Sequence, residues 1–259
     1  MTAEVKLFRI TRGPLTWRYT SVRMPITHDG EIYEPAAIKH SEIQDGGDRS
    51  KVSITVEMPR RLDVADNWWP WPPQDAIVLT IITLEDGVPF VDWIGRLVAP
   101  KFTPSKLTLL SEPSSVRSRR GGKGRKFQRG CDLILYSQGR GQCNVDPIAH
   151  ALPATLDAVN RVTLQSTAFL VLPAGRLAGG WFEWERPNGL IERRSIEQHS
   201  GLAVTLEYGH DDLAPGLSGT AYPGCAQDYE DCTYYENTPN YGGYLYMPGR
   251  NYWDGNPVR

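Results

Sequence analysis

Four cysteines carry the clearest chemistry in this chain, and they fall in two close pairs. Cys131 and Cys143 lie in RGCDLILYSQGRGQCNVD, and Cys225 and Cys232 in GCAQDYEDC. The spacings are C-x11-C and C-x6-C, with residues 144–224 between the pairs. Thiols so placed can form two local disulfides, remain free, or converge on one metal site, provided that the intervening region returns its ends to one place. Zinc sites usually set two to four residues between paired ligands, and neither pair fits. Iron–sulfur clusters accept looser spacing. The start, MTAEVKLFRITRG, lacks the long apolar core of a secretory signal. That predicts synthesis and first folding in a reducing cytoplasm, which counts against disulfides and favours thiolate ligands. On spacing alone, disulfides or free thiols stand level with any metal.

Other residues invite chemistry more weakly. Trp68, Trp69 and Trp71 in NWWPWPP could stack on sugars. A Pro-rich loop cannot continue a central strand, however, so the indoles are expected on a rim or pinned to the domain surface, in packing or a subunit interface. Glu183 and Glu185 in WFEWE alternate on an expected strand and so share a face. Paired carboxylates cleave glycosides only across a cleft at a set separation, so a solvated strand face is the plainer expectation. His210-Asp211-Asp212 could bind a metal but reads better as a turn after Gly209. His28, His40, His150 and His199 are scattered, and no nucleophile elbow, phosphate loop or zinc-protease motif occurs. Nothing here argues for catalysis.

The elements that must position these groups are mainly β. Twenty prolines, twenty-five glycines and little helical periodicity exclude a helical protein. Only 61–67 (RLDVADN) and 146–152 (DPIAHAL) suggest short helices. Strands are expected at 4–10 and 15–23, in KVSITVEM with Val52, Ile54, Val56 and Met58 on one face, and in KLTLLSEP. Asp29-Gly30 and Asp86-Gly87 mark hairpins, because such turns need positive φ. Residues 1–115 thus read as a β-barrel or sandwich. The stretch 115–129, with seven Lys/Arg and no acid, reads as a solvated basic linker over about 116–130. With a net charge of −2 the chain has no global pull toward nucleic acid, and no specific nucleic-acid partner is expected. No apolar run approaches the roughly 20 residues of a membrane span. A C-terminal region follows over 131–259, with a β insertion at about 160–220, a hairpin tip at Pro187-Asn188-Gly189 and an aromatic-rich tail at 233–259. That tail has no periodic apolar face and must lie on the rest of the protein or dock on a partner.

The two cysteine blocks, and the segments TWRYTS, YEP and WIGRLV, resemble the baseplate hub or tail tip family of long-tailed (siphovirus-type) bacteriophages. The most specific part is PGCAQDYEDCTYYENTPNYGGYLYMPG, residues 223–249, and the resemblance covers essentially the whole chain. Where the family has Phe-Gly-Asn and Asn-Phe after the last cysteine, this chain has Tyr-Glu-Asn and Asn240-Tyr241. The resemblance implies a 4Fe–4S cluster held by Cys131, Cys143, Cys225 and Cys232 in an irregular subdomain. It also implies a non-enzymatic virion protein, assembled in the host cytoplasm. The protein would sit at the tail tip and join the tail tube end to the central fibre. The implied assembly is a homotrimer in contact with the distal tail protein, the central fibre or tip protein and the tape measure protein. The contrasting function is a carbohydrate-binding or glycan-cleaving tail module that uses the tryptophan loop with Glu183 and Glu185.

Overall fold

The computed structural model describes residues 4–43, 52–114 and 127–248. Most of the 115–129 basic stretch, the glycine of Met-Pro-Gly and the last ten residues of the tail lie outside them. The chain forms two compact units, Met1–Gly122 with Pro187–Leu190, and Lys123–Arg186 with Ile191–Arg259.

The first unit is one nine-stranded sheet. Its strands are β1 (Val5–Arg12), β2 (Leu15–Thr20), β3 (Ile26–His28), β4 (Glu31–Pro35), β5 (Lys39–His40), β6 (Ile54–Pro59), β7 (Ile77–Glu85), β8 (Val88–Phe102) and β9 (Lys106–Pro113). Their order, β3-β4-β2-β1-β7-β8-β9-β6-β5, leaves two edges, so the sheet is a half-barrel. Asp29-Gly30 turns β3 into β4 and Asp86-Gly87 turns β7 into β8, all four residues at positive φ as those sequences require. In β6 the period of two buries Ile54, Val56 and Met58. The long β8 bends where its pairing slips between Val98 and Lys101, at Ala99 with φ 49°. Bulges of this kind curl a sheet around its core. The stretch 61–67 forms a 3-10 turn at Asp63–Asn67, too rich in Asp and Asn for a longer helix.

The second unit carries a seven-stranded sheet: β10 (Leu152–Thr155), β11 (Ala158–Asn160), β12 (Thr163–Gln165), β13 (Trp181–Glu185), β14 (Ile191–Ser200), β15 (Ala203–Leu206) and β16 (Ser218–Tyr222). The order is β10-β16-β13-β14-β15-β12-β11. Phe169, Phe182, Trp184, Ile196, Val204 and Leu206 build its core. Strand β14 inverts the usual polarity, because Glu192 and Arg194 point inward and Ile191 outward. The buried charges are tolerated as a pair, with Arg194 donating to Glu192 at 2.9 Å. The stretch 146–152 shortens to a 3-10 turn at Ile148–His150. An α-helix absent from the sequence reading, α1 (Tyr229–Tyr234), lies inside the second cysteine block.

A cavity ringed by the four cysteines

The sheet of the second unit brings the distant cysteine pairs together. Its first strand, β10, pairs antiparallel with its last, β16, in the register Leu152↔Ala221. The chain entering β10 and the chain leaving β16 therefore emerge at the same end of the sheet. Trp181 and Tyr222 stack there with ring centres 4.7 Å apart, and Tyr136 meets both edge-on.

From that end the two blocks zip along each other. The Cys131 N–H donates to the Gln227 carbonyl at 2.6 Å, and the Tyr244 N–H to that of Gln128 at 2.9 Å. Arg129 Nε donates to the Met247 carbonyl at 2.8 Å, and the Tyr241 hydroxyl to the Arg129 carbonyl at 2.6 Å. The buried hydroxyls of Tyr136 and Tyr235 reach the carbonyls of Pro223 and Gly224 at 2.9 and 2.7 Å. The described part of the aromatic tail thus lies on residues 127–136, and its aromatic residues supply both packing area and hydrogen bonds.

Short local devices aim each cysteine. Asp228 caps α1 by accepting from the Asp231 N–H at 2.8 Å, and the helix carries Cys232. A capping Asp with acids in the first turn was the signal by which the sequence could have revealed this helix. Gly224 sits hard against the backbone of Ala178 and Gly180, the latter nitrogen 2.6 Å from where a Cβ would be. Gly242 passes close to Cys131, whose sulfur would lie 3.0 Å from an added Cβ. Gly224→Ala is therefore expected to destabilise the second unit by about 1–3 kcal/mol through overpacking against backbone. Urea unfolding followed by tyrosine and tryptophan fluorescence checks this, and an unchanged midpoint would contradict the close approach.

All four cysteines line one small cavity, on ground made apolar by Leu133, Leu135, Val145 and Tyr235. Hydrogen-bond donors face three of the sulfurs. The Gln227 N–H lies 3.3 Å from Cys225 Sγ, the Gly242 N–H 3.3 Å from Cys131 Sγ, and Asn237 Nδ2 3.6 Å from Cys143 Sγ. The Cys232 thiol donates to the Asn237 carbonyl at 3.2 Å. Burial pushes the Cys232 thiol up to about 11, and the other three cysteines add to the rise. Burial likewise raises Cys225, partly offset by the Gln227 N–H. These two are neutral thiols at pH 7, and any metal must displace their protons. Among the described residues no cationic side chain lines the cavity, and N–H dipoles meet negative charge on sulfur.

Four soft thiols on an apolar floor, with N–H groups directed at sulfur, fit a thiolate-bound zinc or iron–sulfur group by donor chemistry. Among the described residues, however, no three His, Cys, Asp or Glu side chains are arranged to hold a metal ion. All four cysteines are free of disulfides.

The remaining candidates separate. Trp68 is buried in the core of the first unit, where a rim or surface position was expected. The NWWPWPP turn follows the 3-10 segment directly, and Val64 and Ala65 draw Trp68 inward with them. Trp69 stays exposed, edge-on to Phe102 at 5.5 Å and under Arg60 at 5.0 Å. Trp68 and Trp69 thus form no shared flat platform. Glu183 and Glu185 do face outward from β13, but Glu183 is ion-paired with its cross-strand partner Arg193. His210 lies 3.4 Å from Asp212 and edge-on to Trp184, and burial lowers its pKa. Asp212 also accepts from Arg186 at 2.8 Å, so this cluster is a half-buried charge network.

The fold and the site together define a mainly β chain in two units, the second closed by a cysteine-lined clasp. Comparison with known proteins bears on both parts. Residues 175–251, which include Cys225 and Cys232, match the family described as "Phage conserved hypothetical protein BR0599". An uncharacterized protein of Xylella fastidiosa (strain 9a5c) is 32% identical over 160 residues, 56% of this chain but 33% of that protein. The match thus spans about a third of the length of this curated relative. The fold is shared over the full length with a chain solved in the "Virion of native gene transfer agent (GTA) particle". The TM-score is 0.77 at 17% identity, covering 100% of this chain and 93% of that one.

Proposed function

We propose that this chain is a non-enzymatic structural protein of a phage virion, at the tail tip or baseplate hub, and that a 4Fe–4S cluster closes its second unit. Cys131, Cys143, Cys225 and Cys232 would hold the cluster, one cysteine to each iron. The observation that carries this reading is the convergence of all four thiols on one apolar cavity, with N–H donors facing three sulfurs. The C-x11-C and C-x6-C spacings are looser than the two to four residues usual between paired zinc ligands. The family match and the shared virion fold support a structural role in a phage-like particle. When bound, the cluster supplies four metal–thiolate bonds that cross-link the two blocks. The chain's own residues shape the cavity, exclude water from its floor and direct dipoles at sulfur.

In this reading the chain is a homotrimer joining the tail tube end to the central fibre. Its neighbours are the distal tail protein, the fibre or tip protein and the tape measure protein. The aromatic groove of Phe127, Tyr229, Tyr241, Tyr244 and Tyr246 offers the residue types that subunit contacts favour. Purification without oxygen is expected to give a brown protein with about four iron and four sulfide per chain. A colourless, iron-free product with a Cys225–Cys232 disulfide would overturn the cluster, and turnover of host glycans would overturn the non-enzymatic role.

A further inference from the structure

Asn237 touches one cysteine from each pair. Its backbone N–H donates to the Cys232 carbonyl at 2.9 Å, and its own carbonyl accepts from the Cys232 thiol at 3.2 Å. Its side-chain amide crosses to the other block, donating to the Cys143 carbonyl at 2.5 Å with Nδ2 3.6 Å from Cys143 Sγ. The residue is buried, so these bonds are not exchanged for water. The network also fixes which way the amide points. Asn240 Nδ2 donates to Asn237 Oδ1 at 2.7 Å, leaving the NH₂ group for Cys143. A flipped amide would set oxygen against the Cys143 carbonyl oxygen and nitrogen against nitrogen, and both bonds would be lost.

We infer that Asn237 is a positioning residue of the cysteine site. It sets the spacing of Cys143 against Cys232 and places an N–H dipole beside the Cys143 sulfur, with Asn240 holding its orientation. The inference rests on the cluster reading above. Gln227 also bonds to a cysteine of each pair, but through backbone atoms that any side chain would leave in place, whereas Asn237 reaches Cys143 through its side chain. Partners of this kind orient ligands and tune a thiolate-bound group, and their loss typically costs 10- to 100-fold in metal affinity. A hydrogen bond to sulfur stabilises the more negative, reduced state, so removing it lowers the reduction potential.

The test uses the full chain, loaded anaerobically with ferrous iron and sulfide. Asn237→Asp keeps the size but replaces the donor with a negative oxygen. It is expected to release iron to a chelator about 10- to 100-fold faster and to lower the reduction potential. Asn240→Ala frees the amide from an exposed position and spares the buried ones. It is expected to shift both readouts in the same direction by a smaller amount, and it carries the test where Asn237→Asp fails to fold. Tyr136→Phe is the structural control. It removes a buried clasp hydrogen bond of a residue outside the cavity lining, and it should lower the melting temperature while leaving the potential unchanged.

Wild-type potential and release rate in both asparagine variants, with full loading of the parent, would overturn this inference alone. An equal shift of the potential in Tyr136→Phe would also overturn it, since general loosening would then suffice. A parent that takes up no iron would overturn the cluster reading together with it.

Discussion

With the proposed cluster in place, Cys225→Ser is expected to lose iron and to melt about 10–20 °C below the parent. The size follows from chain entropy. Cys131 and Cys225 lie far apart in sequence, and a covalent link closing a loop of roughly 100 residues is worth about 4–5 kcal/mol. In a protein of this size each kcal/mol moves the melting temperature by about 2–4 °C. The loss should be uneven. The sheet of the second unit has its own core and should keep its amide protection. The clasp over 127–146 and 223–247 consists of turns, one short helix and scattered backbone and side-chain hydrogen bonds, and its amides should exchange quickly. Iron analysis, calorimetry and hydrogen exchange on loaded parent and variant read all three effects. A variant that keeps its iron, or that loses iron yet melts with the parent, would remove the cross-link from the account of stability.

Phe182→Ala is expected to cost the second unit about 3–5 kcal/mol, the usual range for a fully buried aromatic. Phe182 has no exposed surface, and its ring lies 6.1 Å from that of Trp184 and 6.5 Å from that of Phe169. It also presses on Gly219 of β16, where an added Cβ would come within 2.9 Å of Phe182 Cε1. Strand β16 is the one that delivers Cys225, so the cavity left by Ala loosens the strand on which the clasp depends. The variant should therefore lose stability in urea and also release iron faster, whereas Phe182→Leu should keep most of both. A stability change under about 1 kcal/mol would mean that this core is not packed as described.

Much of the β architecture was legible because its causes are local. Asp29-Gly30 and Asp86-Gly87 require positive φ, and the alternation in ITVEM turns Ile54, Val56 and Met58 to one face whatever surrounds them. Other features gave no local sign. Glu192 and Arg194 look like the solvated face of β14, yet they are its inward face because each neutralises the other. Trp68 reads like its exposed neighbour Trp69, and only the 3-10 turn before it sends it into the core. Helix α1, by contrast, left a faint local sign in its capping Asp228 and first-turn acids, though it is too short for a periodic pattern.

The cysteine site divides in the same way. The sequence by itself determined which side chains could act, since the four thiols, their pairing by spacing and the glycines beside them are properties of residue type. Whether the thiols could act together was decided only by the tertiary structure. The pairing of β10 with β16 brings residues 143 and 225 to one end of a sheet, and no local preference encodes a contact across that many residues. The donors facing sulfur are likewise products of folding. Two are backbone N–H groups, of Gln227 and Gly242, which every residue but proline carries. Their direction is set by the path of the chain, so it appears only once the two blocks have closed on each other.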